Sequence, residues 1–221
     1  MSIIKDLEGS YTWLDFTANN QELDDVDLTN TAVFSKYVFN KIAESRAKFG
    51  VGGYMEHRVI YRRSEHFSDG RIFGQVQSEP RCIHLGIDIW ASAETPIFAP
   101  FDGVIHSFQN NDNFGDYGPT IILEHKQVFN FTNHKTLYTL YGHLSLDSLD
   151  GLYEGKEIKS GEAFAKIGNY PINGDWPPHL HFQVMTDMLG MKGDFAGVCA
   201  MSEQEKYQQI CLDPNFILGL K

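Results

Sequence analysis

Four residues with the chemistry of a metal site stand on two short apolar stretches of this 221-residue chain. His179 and His181 are two positions apart, and His84 and Asp88 are four apart. Successive side chains of a β-strand point to opposite faces, so each pair would share one face if its stretch is a strand. Gly86 would leave room for an ion between His84 and Asp88. The spacing therefore predicts a metal site built from two strands.

A fifth candidate, His143, lies in a third strand-like stretch. Two histidines and one carboxylate form a ligand set that suits zinc, with water in the fourth position. Zinc lowers the pKa of that water, and a neighbouring imidazole can then accept and return a proton. Because one histidine is to spare, the residues alone leave open which histidines bind metal and which handle protons. They predict the chemistry of a zinc hydrolase.

The elements that must position these residues are predicted to be mainly β. From residue 81 to about residue 184, short apolar stretches alternate with turn residues, as in a single all-β domain. Upstream, apolar residues recur at helical spacing over about 31–48, before Gly50. A capping-box pattern predicts a short C-terminal helix over about 203–212. We therefore expect an N-terminal extension with one helix over 1–80, and the domain that carries the site over 81–221.

Residues 54–73, between the predicted helix and the first candidate strand, are β-prone but densely charged. We interpret them as an edge strand on which Glu56 could pair with Arg58, and Arg62 with Glu65. Such surface pairs are usually solvated and contribute little. A role in lining the site is the alternative.

The composition restricts the classes of partner. A formal net charge of −11 makes nucleic acid or an anionic membrane a poor partner. No apolar run approaches transmembrane length, and the first residues lack the regions of an ordinary signal peptide. Cys82, Cys199 and Cys211 are odd in number and widely spaced, which suits reduced thiols better than disulfides. The sequence therefore predicts a cytoplasmic location, with leaderless export as the alternative, and it leaves the oligomeric state open.

Four motifs resemble those of the lysostaphin/LytM-type zinc metalloendopeptidases, a family of peptidoglycan endopeptidases. They are His-Leu-Gly-Ile-Asp at 84–88, Thr-Pro-Ile-Phe-Ala-Pro-Phe-Asp-Gly-Val at 95–104, Tyr-Gly-His-Leu at 141–144 and His-Leu-His-Phe at 179–182. Their order and relative placement also match, over about residues 81–185. The resemblance implies a compact antiparallel β-sheet or sandwich fold. It also implies cleavage of peptide bonds in peptidoglycan stems or cross-bridges, or in muropeptides derived from them.

The resemblance also implies roles for the candidate residues. One zinc ion per chain would be bound by His84, Asp88 and His181. The catalytic histidines near the metal-bound water would be His143 and His179. Tyr141 and Trp176, which stand close to these histidines in the sequence, are candidates for substrate binding.

The loops around the expected cleft depart from the family pattern. Glu94 stands where glycine is usual, Gln183 stands where glutamate is common, and 169–176 replaces a Thr-Gly turn. These changes bear on substrate preference more than on catalysis. Two alternatives to the enzyme are a non-catalytic binding or regulatory domain of the same fold and a phosphocarrier domain, which also uses paired histidines. The five retained residues favour the enzyme, since a phosphocarrier has no need for Asp88.

Overall fold

The computed structural model describes residues 2–67, 79–126 and 134–221. The strands are β1 (Tyr11–Trp13), β2 (Phe49–Gly52), β3 (Arg81–His84), β4 (Ile87–Trp90), β5 (Pro96–Phe98), β6 (Gly103–Asn111), β7 (Gly118–Lys126), β8 (Thr136–Gly142), β9 (Glu157–Ile158), β10 (Ala163–Lys166), β11 (His179–Met185), β12 (Val198–Ala200) and β13 (Cys211–Leu212). The α-helices are α1 (Thr31–Glu44), α2 (Gln204–Ile210) and α3 (Asn215–Leu218). Short 3-10 helices lie at Gln21–Asp24, Ile60–Arg63, Glu65–Phe67, Leu146–Leu149 and Met201–Glu203.

Most of these strands join one sheet. Its order is β1-β2-β4-β11-β8-β7-β6-β9, and β13 pairs with β11 beyond the end of β4. Within the described residues, the pairs are antiparallel except for β1 with β2. The ribbons β5–β10 and β3–β12 form two smaller sheets. The prediction of a mainly β, largely antiparallel fold is confirmed.

The main hydrophobic core lies on the face of the sheet opposite the candidate site residues. In β11, Leu180 and Phe182 are buried in this core, while the histidines between them point the other way. In β4, Ile87 and Ile89 enter the same core on either side of Asp88. Strict alternation along a strand thus separates the packing residues from the candidate ligands.

Helix α1 confirms the predicted helical spacing but ends earlier than expected. Its buried residues Phe34, Val38 and Ile42 recur at intervals of four. The helix ends at Glu44, not near residue 48. Arg46 has a φ of 61°, the left-handed conformation that commonly follows a helix, and β2 begins soon afterwards by pairing with β4. Residues 45–48, which the spacing predicts to be helical, instead form the connection between α1 and β2.

The extension is joined to the rest of the chain through the sheet. Strands β1 and β2, both from the first 80 residues, continue the sheet beside β4. The expected boundary at residue 80 falls directly after 68–78, which lie outside the described residues, and it remains a prediction. Residues 54–67 are not the expected edge strand, because they contain the 3-10 helices Ile60–Arg63 and Glu65–Phe67. Their charged residues Arg58 and Arg63 are buried.

The C-terminal helix is present as α2, shorter than the predicted 203–212 because a 3-10 turn precedes it and β13 follows it. The expected capping box is not formed, since no side chain caps the first turn.

None of the helices in the described ranges combines the length and apolar character needed to cross a membrane. The three cysteines are free thiols, and Cys199 and Cys211 are buried.

Candidate metal centre and active site

Three predicted residues bring potential metal ligands together, and we refer to His84, Asp88 and His181 as the metal cluster. His84 Nε2, Asp88 Oδ1 and His181 Nδ1 lie between 2.9 and 3.2 Å from one another. A tetrahedral ion with bonds of about 2.0–2.1 Å separates its ligand atoms by roughly 3.3 Å. All three residues are buried. The spacing fits a small tetrahedral cation such as zinc.

Strand pairing assembles this cluster from distant parts of the chain. His181 and Asp88 are direct cross-strand neighbours on β11 and β4. His84 ends β3, which pairs with β12, so His84 and Asp88 do not share one strand as expected. The chain changes sheets at Gly86, where an added β-carbon would lie 2.6 Å from the Phe182 carbonyl oxygen and 2.9 Å from the His181 ring. Gly86 thus permits the close approach that lets His84 reach the cluster.

Hydrogen bonds determine which ring nitrogens face the cluster. His84 Nδ1–H donates to the Gly53 carbonyl oxygen at 2.8 Å, and His181 Nε2–H donates to Gln183 Oε1 at 2.9 Å. The opposite nitrogen of each ring is then an acceptor that points into the cluster. Burial and the Arg58 guanidinium lower the pKa of His84 to about 3, so this ring is neutral at physiological pH. Three acceptor atoms therefore face one another, an arrangement that a bound cation stabilises.

Asp88 is engaged through both carboxylate oxygens. Oδ1 faces the two histidines of the cluster, and Oδ2 contacts Arg58 Nη1. Burial opposes ionisation, but the Arg58 guanidinium outweighs it and holds the pKa of the Asp88 carboxyl well below its usual range. The side chain is therefore a carboxylate with one oxygen directed at the metal cluster.

His143 and His179 lie beside the metal cluster, with ring centroids 4.1 Å apart. His143 Nδ1–H donates to the Asn173 carbonyl oxygen at 2.8 Å, and His179 Nδ1–H donates to the Pro177 carbonyl oxygen at 2.7 Å. Trp90 stacks on the His179 ring at 4.1 Å. Burial lowers the pKa of His179 to about 4 and that of His143 well below its usual value. Both are neutral imidazoles whose Nε2 atoms remain for proton exchange.

Tyr141 does not lie at the site, and its position contradicts the expected contact with substrate. It pairs with Phe182 across β8 and β11 and is fully buried on the core face. Strand β8 ends at Gly142, and His143 has a φ of 62°, which turns the chain out of the strand. Tyr141 and His143 therefore do not share a face. Tyr117 lines the site cavity instead.

Trp176 lines the cavity, so its predicted role in substrate binding stays open as a prediction. Its backbone is held by the buried Asn173. The Asn173 side-chain amide donates to the Trp176 carbonyl oxygen at 2.9 Å and accepts from the Trp176 N–H at 3.1 Å. Arg63 lies over the indole, 4.4 Å from its centroid. The loop that departs from the family pattern is thus ordered by its own asparagine.

Ile60, Tyr61, His66 and Phe67 line the cavity, and we refer to residues 60–67 as the roof. Ser64 Oγ donates to the Phe114 carbonyl oxygen at 2.9 Å, and Arg63 Nη2 donates to the Asp175 carbonyl oxygen at 2.9 Å. The roof therefore bridges the two loops on either side of the histidines. Beneath it lies a cavity of about 350 Å³. His143, the more exposed catalytic candidate, has only 6% of its surface accessible.

Four residues that sequence reasoning left without a role support the site. They are Gly53, Arg58, Asn173 and Gln183. Gln183 and the loop of Asn173 were noticed only as departures from a family pattern. Arg58 was interpreted as a surface charge. Gly53, Arg58 and Asn173 each bond to a site residue 30 or 31 positions away, which no local pattern reveals. Gln183 bonds to His181, two positions away on the same strand.

Comparison with known proteins supports a family assignment. The model of peptidase family M23 matches residues 82–192, half of the chain. An uncharacterized metalloprotease of Haemophilus influenzae is 31% identical over 100 residues, which are 45% of this chain and 18% of that protein. The chain thus spans less than a fifth of the length of this curated relative.

Two solved structures are also similar. The catalytic domain of the antimicrobial peptidase lysostaphin from Staphylococcus simulans is 20% identical, with a TM-score of 0.45, covering 84% of this chain and 97% of that one. A zinc containing peptidase from Vibrio cholerae is 23% identical, with a TM-score of 0.34, covering 52% of this chain and 30% of that one. The matched region 82–192 includes all five histidine and aspartate residues of the candidate site, and the chain belongs to peptidase family M23.

Proposed function

We propose that the chain is a zinc metalloendopeptidase that hydrolyses peptide bonds in peptidoglycan stems, cross-bridges or muropeptides. The metal cluster carries this proposal, because three buried acceptor atoms converge within 3.2 Å of one another. His84, Asp88 and His181 would hold one zinc ion per chain. When bound, zinc supplies Lewis-acid chemistry that polarises the scissile carbonyl and activates a water molecule.

His143 and His179 would move the protons of the reaction. Each ring is anchored through Nδ1 to a backbone carbonyl, so Nε2 can accept a proton from the attacking water and return it to the leaving amine. The stacked Trp90 restricts the His179 ring. Both rings are almost fully buried, which strengthens the electrostatic interactions around them.

The same geometry weighs against the alternative functions. A non-catalytic domain has no requirement for a complete ligand set with ordered hydrogen-bond partners. A phosphocarrier domain gives no role to Asp88, whose second oxygen is nevertheless engaged by a buried arginine. The peptidase gives a role to the complete ligand set, including Asp88.

The cavity supports a small substrate. Its volume of about 350 Å³ is near the lower end of the ~300–1,000 Å³ typical of small-molecule sites. The roof lines part of this cavity and is hydrogen-bonded to the loops that carry Phe114 and Asp175, which reduces the room for an extended cross-linked polymer. The net charge of −11 also disfavours tight association with anionic wall polymers. We therefore propose soluble peptides or muropeptides as the better substrates.

Zinc-loaded protein is expected to release new amines faster from soluble muropeptides than from intact sacculi of the same preparation. The measurement uses equal enzyme on isolated sacculi and on their muramidase digest, with amines labelled over time and products identified by mass spectrometry. His143→Ala serves as the control for contaminating peptidases, since it should release product at least about a hundredfold more slowly.

The two parts of the proposal fail differently in this assay. Faster attack on intact sacculi would contradict the small-substrate proposal and leave the peptidase intact. Absence of peptide-bond cleavage in both preparations, with zinc bound, would contradict peptidoglycan as the substrate class.

A further inference from the structure

Arg58 is a buried cation that the proposed catalytic cycle does not use. Its side chain has no accessible surface. Nε donates to Glu56 Oε2 at 2.7 Å, Nη1 contacts Asp88 Oδ2, and Nη2 donates to the Gly53 carbonyl oxygen at 3.3 Å. Burying a guanidinium is costly unless its hydrogen bonds are satisfied. The chain therefore surrounds this one side chain with oxygen acceptors.

The extension provides the space for this guanidinium. Gly52 on β2 pairs with Asp88 on β4, and an added β-carbon at Gly52 would collide with Arg58 Nη2. On another side, the Phe16 ring centroid lies 5.6 Å from Arg58 Cζ. Phe16, Gly52 and Arg58 all precede the region 82–192 that matches the family model. The arginine, its glycine gap and its aromatic neighbour thus come from the extension, whereas the carboxylate comes from the family region.

Arg58 makes the two oxygens of Asp88 inequivalent. Oδ2 is occupied by the guanidinium, so Oδ1 is the oxygen that faces the histidine nitrogens. The same segment also orients His84, because the Gly53 carbonyl oxygen accepts from His84 Nδ1–H. Residues 53–58 therefore set the orientation of two of the three residues in the metal cluster.

We propose that Arg58 is a positioning residue of the metal centre and that the extension orients the residues of that centre. This inference rests on the proposed zinc function. Without Arg58, Asp88 could rotate, and Glu56 and Asp88 would lose their shared counter-ion. Changes to residues that orient metal ligands typically weaken metal binding by about 10–100-fold.

The test compares zinc affinity in Arg58→Met, Arg58→Lys and Arg63→Met. Arg63 is a matched control, since it is also a buried arginine of the extension but contacts Thr31 and the Asp175 carbonyl oxygen instead of the metal cluster. The zinc dissociation constant is measured by competition with a chromophoric chelator. The visible spectrum of the cobalt(II)-substituted protein reports ligand geometry, and thermal unfolding of the metal-free proteins reports stability.

Arg58→Met is expected to weaken zinc binding by about 10–100-fold and to alter the cobalt spectrum. Arg58→Lys should recover part of the affinity, because it keeps the charge but loses the planar fork. Arg63→Met should lower thermal stability while leaving the zinc dissociation constant and the cobalt spectrum unchanged. A purely structural role for Arg58 would give this second pattern.

The inference is overturned if folded Arg58→Met binds zinc within about threefold of the unchanged protein. If Arg58→Met does not fold, Gly52→Ala provides the second variant, because it displaces the guanidinium and keeps its charge. Normal zinc affinity and an unchanged cobalt spectrum in Gly52→Ala would then reject the inference. Failure of the unchanged protein to bind zinc would instead contradict the proposed function itself.

Discussion

Replacing His143 or His179 with alanine is expected to leave a folded, zinc-loaded protein whose peptidase activity has fallen by about 10²–10⁴-fold. Neither histidine belongs to the metal cluster, and both direct Nδ1 to backbone carbonyls. Their loss should therefore remove proton transfer and spare metal binding. Zinc per chain and kcat/KM on a soluble muropeptide test both statements in the same sample.

His106→Ala is a suitable control for this experiment. His106 lies on β6, outside the cavity lining, where its ring bonds to the neighbouring Ser107 hydroxyl. Its replacement should leave both zinc content and turnover near their original values. Loss of zinc in His143→Ala or His179→Ala, or near-native turnover in both, would show that the division between ligands and proton carriers is incorrect.

Asp88→Ala is expected to abolish stoichiometric zinc binding. The variant removes one of the three proposed ligand atoms and leaves two histidines, which form an incomplete site for zinc. It also takes away a counter-ion of Arg58. Breaking a buried ion pair costs about 3–5 kcal/mol, and the remaining Glu56 partner should reduce that loss.

Two measurements test Asp88→Ala. Metal analysis after mild chelation gives the zinc content, and urea unfolding of the metal-free proteins gives the loss of stability. The β core is formed by other residues, so the variant should still unfold cooperatively. Asp88→Asn is the matched control, because it retains the side-chain shape and an oxygen acceptor while losing the charge. Stoichiometric zinc in Asp88→Ala after chelation would refute the ligand assignment.

The convergence of the site residues on β11 was predictable because it depends only on strand geometry. His179 and His181 share a face whenever 179–185 is extended, whichever strands lie beside it. The apolar residues between them then enter the core, as Leu180 and Phe182 do. The period of two is a property of the backbone and needs no knowledge of topology.

Tyr141 shows where this alternation stops, because its strand ends at Gly142, before the histidine. Tyr141 and His143 are two apart, and an unbroken strand would place them together. Tyr141 lies opposite Phe182 on the core face, and the left-handed backbone at His143 turns the histidine away from that face. A positive φ at a residue other than glycine is uncommon, so the sequence carries no clear signal for it.

Arg58 illustrates a different limit of sequence reasoning. Arginine is seldom buried unless it is paired, so a charged segment is normally interpreted as surface. Its burial here depends on Asp88, 30 residues away, and on a gap at Gly52. Both conditions arise only after the extension has packed on the sheet. Local composition could therefore suggest the Glu56–Arg58 pair but not its burial.

The central position of β11 has a consequence for how the protein folds. This strand pairs with both β4 and β8, and the His84 and His181 nitrogens that meet in the metal cluster are separated by 97 residues of sequence. Contacts of such long separation carry a loop-closure cost and slow folding. Zinc therefore finds its full ligand set only after β11 has inserted between its neighbours. During refolding, the appearance of a cobalt or zinc signal should follow formation of the β6–β7 hairpin. The metal signal would then indicate that β11 has paired with both β4 and β8.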